Sequence, residues 1–435
     1  MVIDGWGTIV GSVYINSFQT QASPLKGAIS HMAPSRERMS VAEFASLVAL
    51  LTSLVALSID AMLPALPEIG STLGVTQRND TQLVIGLFLL GNAVGQLLFG
   101  PLSDAFGRKP AIVAGLTLFL LGCFISIVAE SFATLLLGRV LQGVGASGPR
   151  TVSVSMIRDL YSGRSMARIM SISMSIFILV PIIAPALGQA IMWMVGWRYI
   201  FGTFILFGFL GLFWLLIRQP ETLADKHRRP IRLTTLLNGF ITVCRSRAAL
   251  GYSLAMGTTF GAFVGFLSSV QQIFQDTFEV GKWFPYLFAV MALFTGAASL
   301  LNARIVMRFG MQKIVRLAMG CSLVVSLTYL AVCLLFDSPG LIGFMVWGAF
   351  SFFGIGLCFS NINALAMEPL GHIAGLGAAI VGFFSSSIAI LIGIPLGRAY
   401  DGSQLPLITG FTVMGMIGLS LVLWAGRDST VSRNN

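Results

Sequence analysis

The sequence predicts an all-α polytopic membrane protein, with twelve transmembrane helices in two six-helix halves and both termini on the cytoplasmic side. Three observations support this prediction: the apolar composition, the repeated apolar segments and the uneven distribution of Lys and Arg. Of the 435 residues, 56% are hydrophobic and 10% are charged, whereas about 25% of residues are charged in soluble proteins. The mean hydropathy is +0.87. This apolar surface exceeds what a soluble core could hide, so most of it must face lipid.

Apolar segments long enough to cross a bilayer, about 20 residues each, recur along most of the chain. The longest polar interruption, residues 218–248, divides them six and six and predicts a cytoplasmic linker. We therefore predict a disordered N-terminal tail (1–42), two six-helix halves (43–217 and 249–425) and a C-terminal tail (426–435). The predicted spans are 43–66, 80–103, 110–130, 132–157, 166–193, 197–217, 249–274, 283–306, 313–336, 340–366, 373–396 and 404–425.

The Lys and Arg residues alternate from loop to loop, which is the usual sign of orientation in a membrane protein. With both termini inside, 21 of the 27 fall in predicted cytoplasmic segments, and Arg139 and Arg150 lie inside a span. The four in predicted outside loops are Arg78, Arg198, Lys282 and Arg398. The net charge of +10 is thus a topology signal, and we expect no nucleic-acid partner.

The residues that build metal sites and catalytic centres are few and scattered. The five cysteines are odd in number and lack CxxC spacing, and the three histidines fall outside the predicted spans. No GxSxG or phosphate-binding GxxxxGK[ST] motif is present. We expect no metal, no cofactor and no catalytic residue.

The polar segment Gly100-Pro-Leu-Ser-Asp-Ala-Phe-Gly-Arg-Lys-Pro110 stands between two predicted spans and is richer than a plain turn requires. A related stretch, Ile305–Lys313, follows the second span of the other half. The second copy has Met307 where the first has Asp104, so it lacks the carboxylate. Two related halves are typical of transporters, which bind substrate between the halves near the middle of the membrane.

Here the chain resembles the major facilitator superfamily, and in particular its drug:proton antiporters of the Bcr/CflA (bicyclomycin/chloramphenicol resistance) type. The resemblance covers about residues 43–425. The stretches that carry it, besides Gly100–Pro110, are Ser58–Pro67, Arg139–Gly143, Arg158–Tyr161, Val180–Gly188, Pro220–Leu223 and Ser360–Gly375. It implies a multi-pass protein of the bacterial inner membrane that exports amphipathic drug-like molecules in exchange for protons. The proton gradient would supply the energy, and the lipid bilayer, protons and a small molecule would be the partners of a monomer.

Three ionisable residues inside predicted spans are the sharpest functional signal, because each is costly in hydrocarbon. Asp60 lies late in span one and is a candidate for exchanging a proton against substrate. Arg139 and Arg150 are eleven residues apart on span four, about three full helical turns, so they share a face with Gln142. We hypothesise that Asp60 and Arg139 are electrostatic partners in proton coupling, and the resemblance agrees. An alternative reading of Asp60 is a span-end residue near the interface.

The resemblance also assigns two motifs. Gly100, Asp104, Gly107, Arg108 and Lys109 form a cytoplasmic gating motif in which Arg108 can pair with Asp159. Asp104 is expected to accept from the start of a neighbouring helix, near Ala374–Gly375. Pro181, Pro185 and Gly188 form the antiporter motif in span five, although Gln189 stands where that motif usually has a second glycine. A kinked packing helix is compatible with the same residues.

Polar side chains within the spans are candidates for contacts with substrate. The predicted substrate-binding residues are Asp60, Asn92, Gln96, Gln142, Arg150 and Asn361. Gly257, Gly261 and Gly265 predict a close-packed face on span seven instead. Other functions remain open at this point: a substrate-specific transporter for a sugar, carboxylate or other metabolite, a polytopic membrane enzyme, or a channel.

Overall fold

The computed structural model describes residues 39–161, 163–228, 230, 233–336 and 339–426, and these residues are predominantly helical. The predicted tails lie outside the described residues except for 39–42 and 426, and the first helix begins at Val41. The α-helices are α1 (Val41–Asp60), α2 (Leu66–Thr72), α3 (Leu83–Phe106), α4 (Arg108–Ile127), α5 (Phe132–Leu160), α6 (Gly163–Val195), α7 (Arg198–Arg218), α8 (Leu233–Arg245), α9 (Arg247–Gln272), α10 (Phe284–Phe309), α11 (Met311–Leu335), α12 (Gly340–Met367), α13 (Ala374–Arg398) and α14 (Leu405–Ala425).

Among the described residues, ten helical segments are long and apolar enough to cross a membrane. Two other long helices, α5 with 29 residues and α6 with 33, complete the series. Helix α5 is less apolar because it carries Arg139 and Arg150. In α6 the apolar stretch is the shorter segment Leu179–Val195. The all-helical, multi-pass prediction is confirmed at this level.

Local sequence explains where two of the predicted spans depart from a single straight helix. The segment predicted as span one breaks after Asp60, and its continuation passes through the short turn Leu63–Ala65 into α2. Pro64 lies at the start of the turn Leu63–Ala65 and Pro67 at the start of α2, where a missing N–H is tolerated. Span seven ends in a π-helical turn, Ile273–Thr277. The predicted linker is also partly helical, because it contains α8.

Small residues let the helices of each half approach closely. A Cβ placed on Gly143 of α5 would collide with the Phe88 carbonyl oxygen of α3, and one on Gly145 would collide with the Phe119 backbone of α4. In the second half, Gly257, Gly261 and Gly265 of α9 face Ile388, Ile392 and Leu396 of α13. The glycine face predicted for span seven is therefore a helix–helix contact.

We call α1–α7 the first half and α9–α14 the second half. The halves meet chiefly along α3 and α13 and along α6 and α10. Contacts along α3 run from Gly86 against Ile394, through Gln96 against Gly382, to Gly100 against Ala379. We call the end of the bundle that holds Gly100–Lys109 the motif end. The opposite end, where α3 begins, we call the far end.

Candidate functional site

Asp60 is the last residue of α1 and is 5% exposed. Its carboxylate has no hydrogen bond or ion pair among the residues that the structure describes. Helix α6 packs against the same turn, since a Cβ on Gly188 would collide with the carbonyl oxygen of Ala61. An ionised carboxylate in such a site is costly. Asp60 is thus a buried acid held at the contact between α1 and the predicted antiporter motif.

Arg139 of α5 is fully buried and donates to three neutral oxygen acceptors. Its Nη2 donates to the Ser58 carbonyl at 2.9 Å, its Nε to the Val84 carbonyl at 2.8 Å and its Nη1 to Gln142 Oε1 at 2.7 Å. The guanidinium also lies over the Phe88 ring, 4.5 Å from its centroid. One side chain therefore ties α5 to both α1 and α3.

No hydrogen bond or ion pair joins Asp60 and Arg139 in the described residues, and their partnership in proton coupling stays a prediction. The guanidinium fork is instead occupied by two backbone carbonyls and an amide oxygen. The connection to Asp60 is indirect, because Arg139 binds the carbonyl of Ser58, two residues before the carboxylate. Any coupling between the two groups must pass through the backbone at the end of α1.

The other candidate substrate residues fall into separate places. Gln142 belongs to the helix packing, because its Nε2 donates to Ser126 Oγ at 2.8 Å and to the Gly122 carbonyl at 3.1 Å. Asn361 donates to Asn302 Oδ1 at 2.7 Å, which joins α12 to α10 inside the second half. Neither side chain is free for a ligand, because both are occupied in buried contacts.

Asn92 and Gln96 lie together where the halves meet. Gln96 Nε2 donates to Asn92 Oδ1 at 2.8 Å and lies 3.5 Å from Ser386 Oγ of α13. Arg150 is partly buried and has no hydrogen bond or ion pair within the described residues. Arg150 stays a candidate for binding an anionic or carbonyl group of a substrate. Asn92 and Gln96 stay candidates for binding a polar group.

At the motif end, Arg108 holds three side chains together. Its Nε donates to Asp159 Oδ2 at 2.9 Å and its Nη1 to Ser103 Oγ at 2.8 Å, and it also pairs with Asp104. The predicted ion pair between Arg108 and Asp159 is therefore present. Gly107 makes the junction of α3 and α4 with φ +109°, a conformation that favours glycine. Lys109 Nζ caps α7 by donating to the Leu216 carbonyl.

The carboxylate at a helix N-terminus in this motif is Glu221, which sequence reasoning missed as a site residue. Its oxygens accept from the backbone N–H groups of Arg108 at 2.9 Å and Lys109 at 3.0 Å, the first residues of α4. They also accept from Thr222 and Leu223. The role expected of Asp104 is thus corrected: its partner is Arg108, on the next helix, and Glu221 caps α4. The stretch Pro220–Leu223 was part of the resemblance and was the available signal.

We expect Glu221→Gln to lower the stability of the protein by about 1–3 kcal/mol, because charge-assisted bonds to backbone N–H groups are lost. The midpoint of thermal unfolding in detergent measures this. Glu130→Gln is the matched control, since Glu130 is exposed between α4 and α5. An equal midpoint for Glu221→Gln and Glu130→Gln would contradict the capping role.

Pro181 and Pro185 lie inside α6, as the antiporter motif predicts. Gly188 packs against the backbone of Ala61, directly after α1. Gln189 is 6% exposed and points into a far-end cavity described below. The position at which the motif usually has a second glycine is therefore occupied by a buried polar side chain.

At the far end, hydrogen bonds join the two halves directly. Asn79 Nδ2 donates to the carbonyls of Arg398 and Tyr400, both at 2.9 Å, and Asn79 Oδ1 accepts from Gln272 Nε2 at 2.9 Å. Gln82 also binds Gln272. Burial raises the pKa of Tyr400, so its hydroxyl stays protonated beside Gln272.

Two ion pairs reinforce this connection, Arg78 with Asp276 at 2.7 Å and Arg398 with Asp80. We call the set, which comprises Arg78–Gln82, Gln272–Thr277 and Arg398–Tyr400, the far-end network. In this structure the halves are therefore bonded to each other at the far end.

We expect Asn79→Ala to open the far end more often, because three hydrogen bonds between the halves are lost, worth about 0.5–1.5 kcal/mol each. Hydrogen–deuterium exchange should rise at Arg78–Gln82 and Arg398–Tyr400 and stay unchanged at the motif end. Asn238→Ala, at an exposed position of α8, is the matched control. Unchanged exchange in Asn79→Ala would show that the network does not hold the end closed.

A sequence profile of the Major Facilitator Superfamily matches residues 48–394. The chain belongs to this superfamily. The predicted family is thus confirmed, and the chain is a transporter and not an enzyme. Among the described residues, no cluster of three or more His, Cys, Asp or Glu residues could hold a metal ion.

Several curated proteins are similar over most of their length. An uncharacterised MFS-type transporter, YdgK of Bacillus subtilis, is 28% identical over 93% of this chain and 100% of its own. The bicyclomycin resistance protein homologue of Haemophilus influenzae is 26% identical, covering 86% and 93%. The chloramphenicol resistance protein of Pseudomonas aeruginosa is 28% identical, covering 82% and 84%.

Among solved structures, the human organic anion transporter MFSD10 superimposes with a TM-score of 0.66 at 17% identity, over 89% of this chain and 100% of its own. This likeness concerns the fold alone. The transporter fold predicted from the sequence is therefore found in a solved structure. Two of the three curated relatives bear drug-resistance names.

Proposed function

We propose that this transporter is a proton-coupled multidrug efflux antiporter of the bacterial inner membrane, which exports amphipathic drug-like compounds by alternating access. The names of the bicyclomycin and chloramphenicol resistance relatives support the substrate class. The observation that carries the proposal is Asp60, a buried acid with no partner among the described residues, two residues after the Ser58 carbonyl that Arg139 binds. Buried acids within spans are typical of proton relays.

In the proposed topology, α5 and α6 join the ten apolar helical segments to give twelve spans, with both termini in the cytoplasm. The motif end is then cytoplasmic and the far end faces outward. The distribution of Lys and Arg supports this orientation. The two halves would rock against each other to open one end at a time. Arg108, Asp104 and Asp159 would control opening of the motif end, and the far-end network would control opening of the far end.

The proposed coupling uses the end of α1 as the moving part. When Asp60 loses its proton, its carboxylate becomes a charged acceptor that competes with the carbonyl of Ser58 for Arg139. A shift of the guanidinium would alter its bond to Val84 of α3. Substrate and proton would thus compete through the packing of α1, α3 and α5.

In this scheme substrate enters from the motif end and meets Asn92 and Gln96 where the halves adjoin. Arg150 of α5 is the charged candidate for contact with it. Two interior arginines against one interior acid favour neutral or singly charged compounds over dications. The proton gradient is the energy source, no cofactor takes part, and one chain is sufficient for transport.

The test uses inverted membrane vesicles that contain the protein and are energised with a proton gradient. Chloramphenicol, a monocation and a dication are added in turn, and proton release is recorded with a pH-sensitive dye. We expect release with the neutral drug and the monocation, none with the dication, and none in vesicles without the protein. No response to any compound would favour a metabolite-specific transporter of the same fold.

A further inference from the structure

A polar cavity lies at the far end, where Arg78 and Asp276 of the far-end network form part of its lining. Its volume is about 370 Å³, within the range of small-molecule pockets, which is about 300–1,000 Å³. Its rim is open, since the side chain of Arg78 is 58% exposed. This cavity is separate from the interior groups Asp60, Gln96 and Arg150.

Four ionisable side chains line this cavity, two acids and two bases, so its formal charge is balanced. Arg78 and Asp276 already pair with each other. Glu68 and Lys282 form no ion pair within the described residues. An unpaired acid and an unpaired base in one cavity fit a ligand that carries both a cationic and an anionic group.

Each half supplies one of these two charges. Glu68 belongs to α2 of the first half, whereas Lys282 lies just before α10 of the second half. A molecule that binds both charges therefore spans the boundary between the halves. It adds a connection parallel to the Arg78–Asp276 pair.

Each half also supplies one buried amide side chain to this cavity. Gln189 of α6 is 6% exposed and Gln271 of α9 is 3% exposed, and both line the cavity. Neither side chain has a hydrogen-bond partner among the described residues. Buried polar groups are normally bonded, so the two amides are available to a ligand that enters. Met192 and Trp193 supply an apolar edge beside them.

We propose that this far-end cavity binds a zwitterionic small molecule with an apolar ring, which bridges Glu68 and Lys282 and holds the far end closed. Gln189 and Gln271 bind the polar atoms between its charged ends. A ligand that binds only the closed arrangement stabilises it in proportion to its concentration. With the far end outward, a zwitterion that accumulates outside would slow further opening.

The test measures equilibrium binding to the full-length protein in nanodiscs, with no pH gradient, so that it does not depend on proton coupling. The probes are norfloxacin, which is a zwitterion near neutral pH, its ethyl ester, which keeps only the cation, and its N-acetyl derivative, which keeps only the anion. We expect norfloxacin to bind at least about tenfold more tightly than either derivative, the effect of one charge-assisted contact. Its addition should lower deuterium uptake at Arg78–Gln82.

Glu68→Gln and Lys282→Gln should each remove the preference for the zwitterion, and Gln189→Ala should weaken binding by about threefold to tenfold. Glu130→Gln, at an exposed position on the loop after α4, should keep the preference. Equal affinity for the three probes would overturn the proposal. So would a preference that survives both Glu68→Gln and Lys282→Gln, or an increase in deuterium uptake on binding. Drug-induced proton release, measured separately, tests the transport function alone.

Discussion

Asp60→Asn should reduce drug-induced proton release in inverted vesicles by at least about tenfold, while the protein still folds and binds drug. The amide has nearly the shape of the carboxylate but cannot take up and release a proton. Asp60 is buried and has no ion-pair partner within the described residues, so neutralising it leaves no charge unpaired. The loss should appear in coupling and not in stability.

Asp225→Asn is the matched control, because the side chain of Asp225 is 88% exposed in the linker. Its proton release and its thermal midpoint should equal those of the wild type. Release that is unchanged in Asp60→Asn would remove this residue from the coupling role. Loss of folded protein in Asp60→Asn would instead make it a structural residue.

Gly143→Ala should unfold or strongly destabilise the first half, by on the order of 3 kcal/mol or more, at the upper end of overpacking costs. The added Cβ meets the backbone carbonyl oxygen of Phe88 and the backbone N of Asn92. Backbone atoms cannot move aside by a change of rotamer, so α3 and α5 must separate. The thermal midpoint in detergent and the yield of monodisperse protein measure the effect.

Gly320→Ala makes the same chemical change within α11, where no described atom beyond the chain neighbours and the local helix backbone lies within 4 Å of the added Cβ. Alanine is favoured over glycine in a helix by about 0.8–1.0 kcal/mol, so this variant should be as stable as the wild type or more so. If Gly143→Ala and Gly320→Ala have the same thermal midpoint, the contact with Phe88 does not require glycine at position 143.

Much of the fold was predictable, because lipid requires each span to be a long apolar helix. The sequence also indicated the inward face of α5, since two arginines on one face cannot both meet lipid. Helix α8 was not expected, because it lies within a charged linker and is too short to cross a membrane, although Leu236, Leu237 and Phe240 recur at helical spacing. The break in the helix after Asp60 was also not predicted, although Pro64 and Pro67 marked the region.

The partners of the candidate residues were harder to predict than their positions. Arg108 and Asp159 are paired as expected, since both lie at the same end of adjacent helices. Arg139 and Asp60 are not, because a buried guanidinium can donate to backbone carbonyl oxygens in place of a carboxylate when the backbone comes close. Glu221 is distant from α4 in sequence, so no local spacing could reveal its capping bonds to Arg108 and Lys109.

The three acceptors around Arg139 are all uncharged, so they leave its positive charge unbalanced. Arg150 adds a second charge on the same helix. Moving one elementary charge through the whole membrane field changes the free energy by about 2.3 kcal/mol per 100 mV. If α5 shifts along the membrane normal as the halves rock, the membrane potential favours one conformation over the other. The turnover of this protein should then depend on voltage even when the exported molecule is neutral.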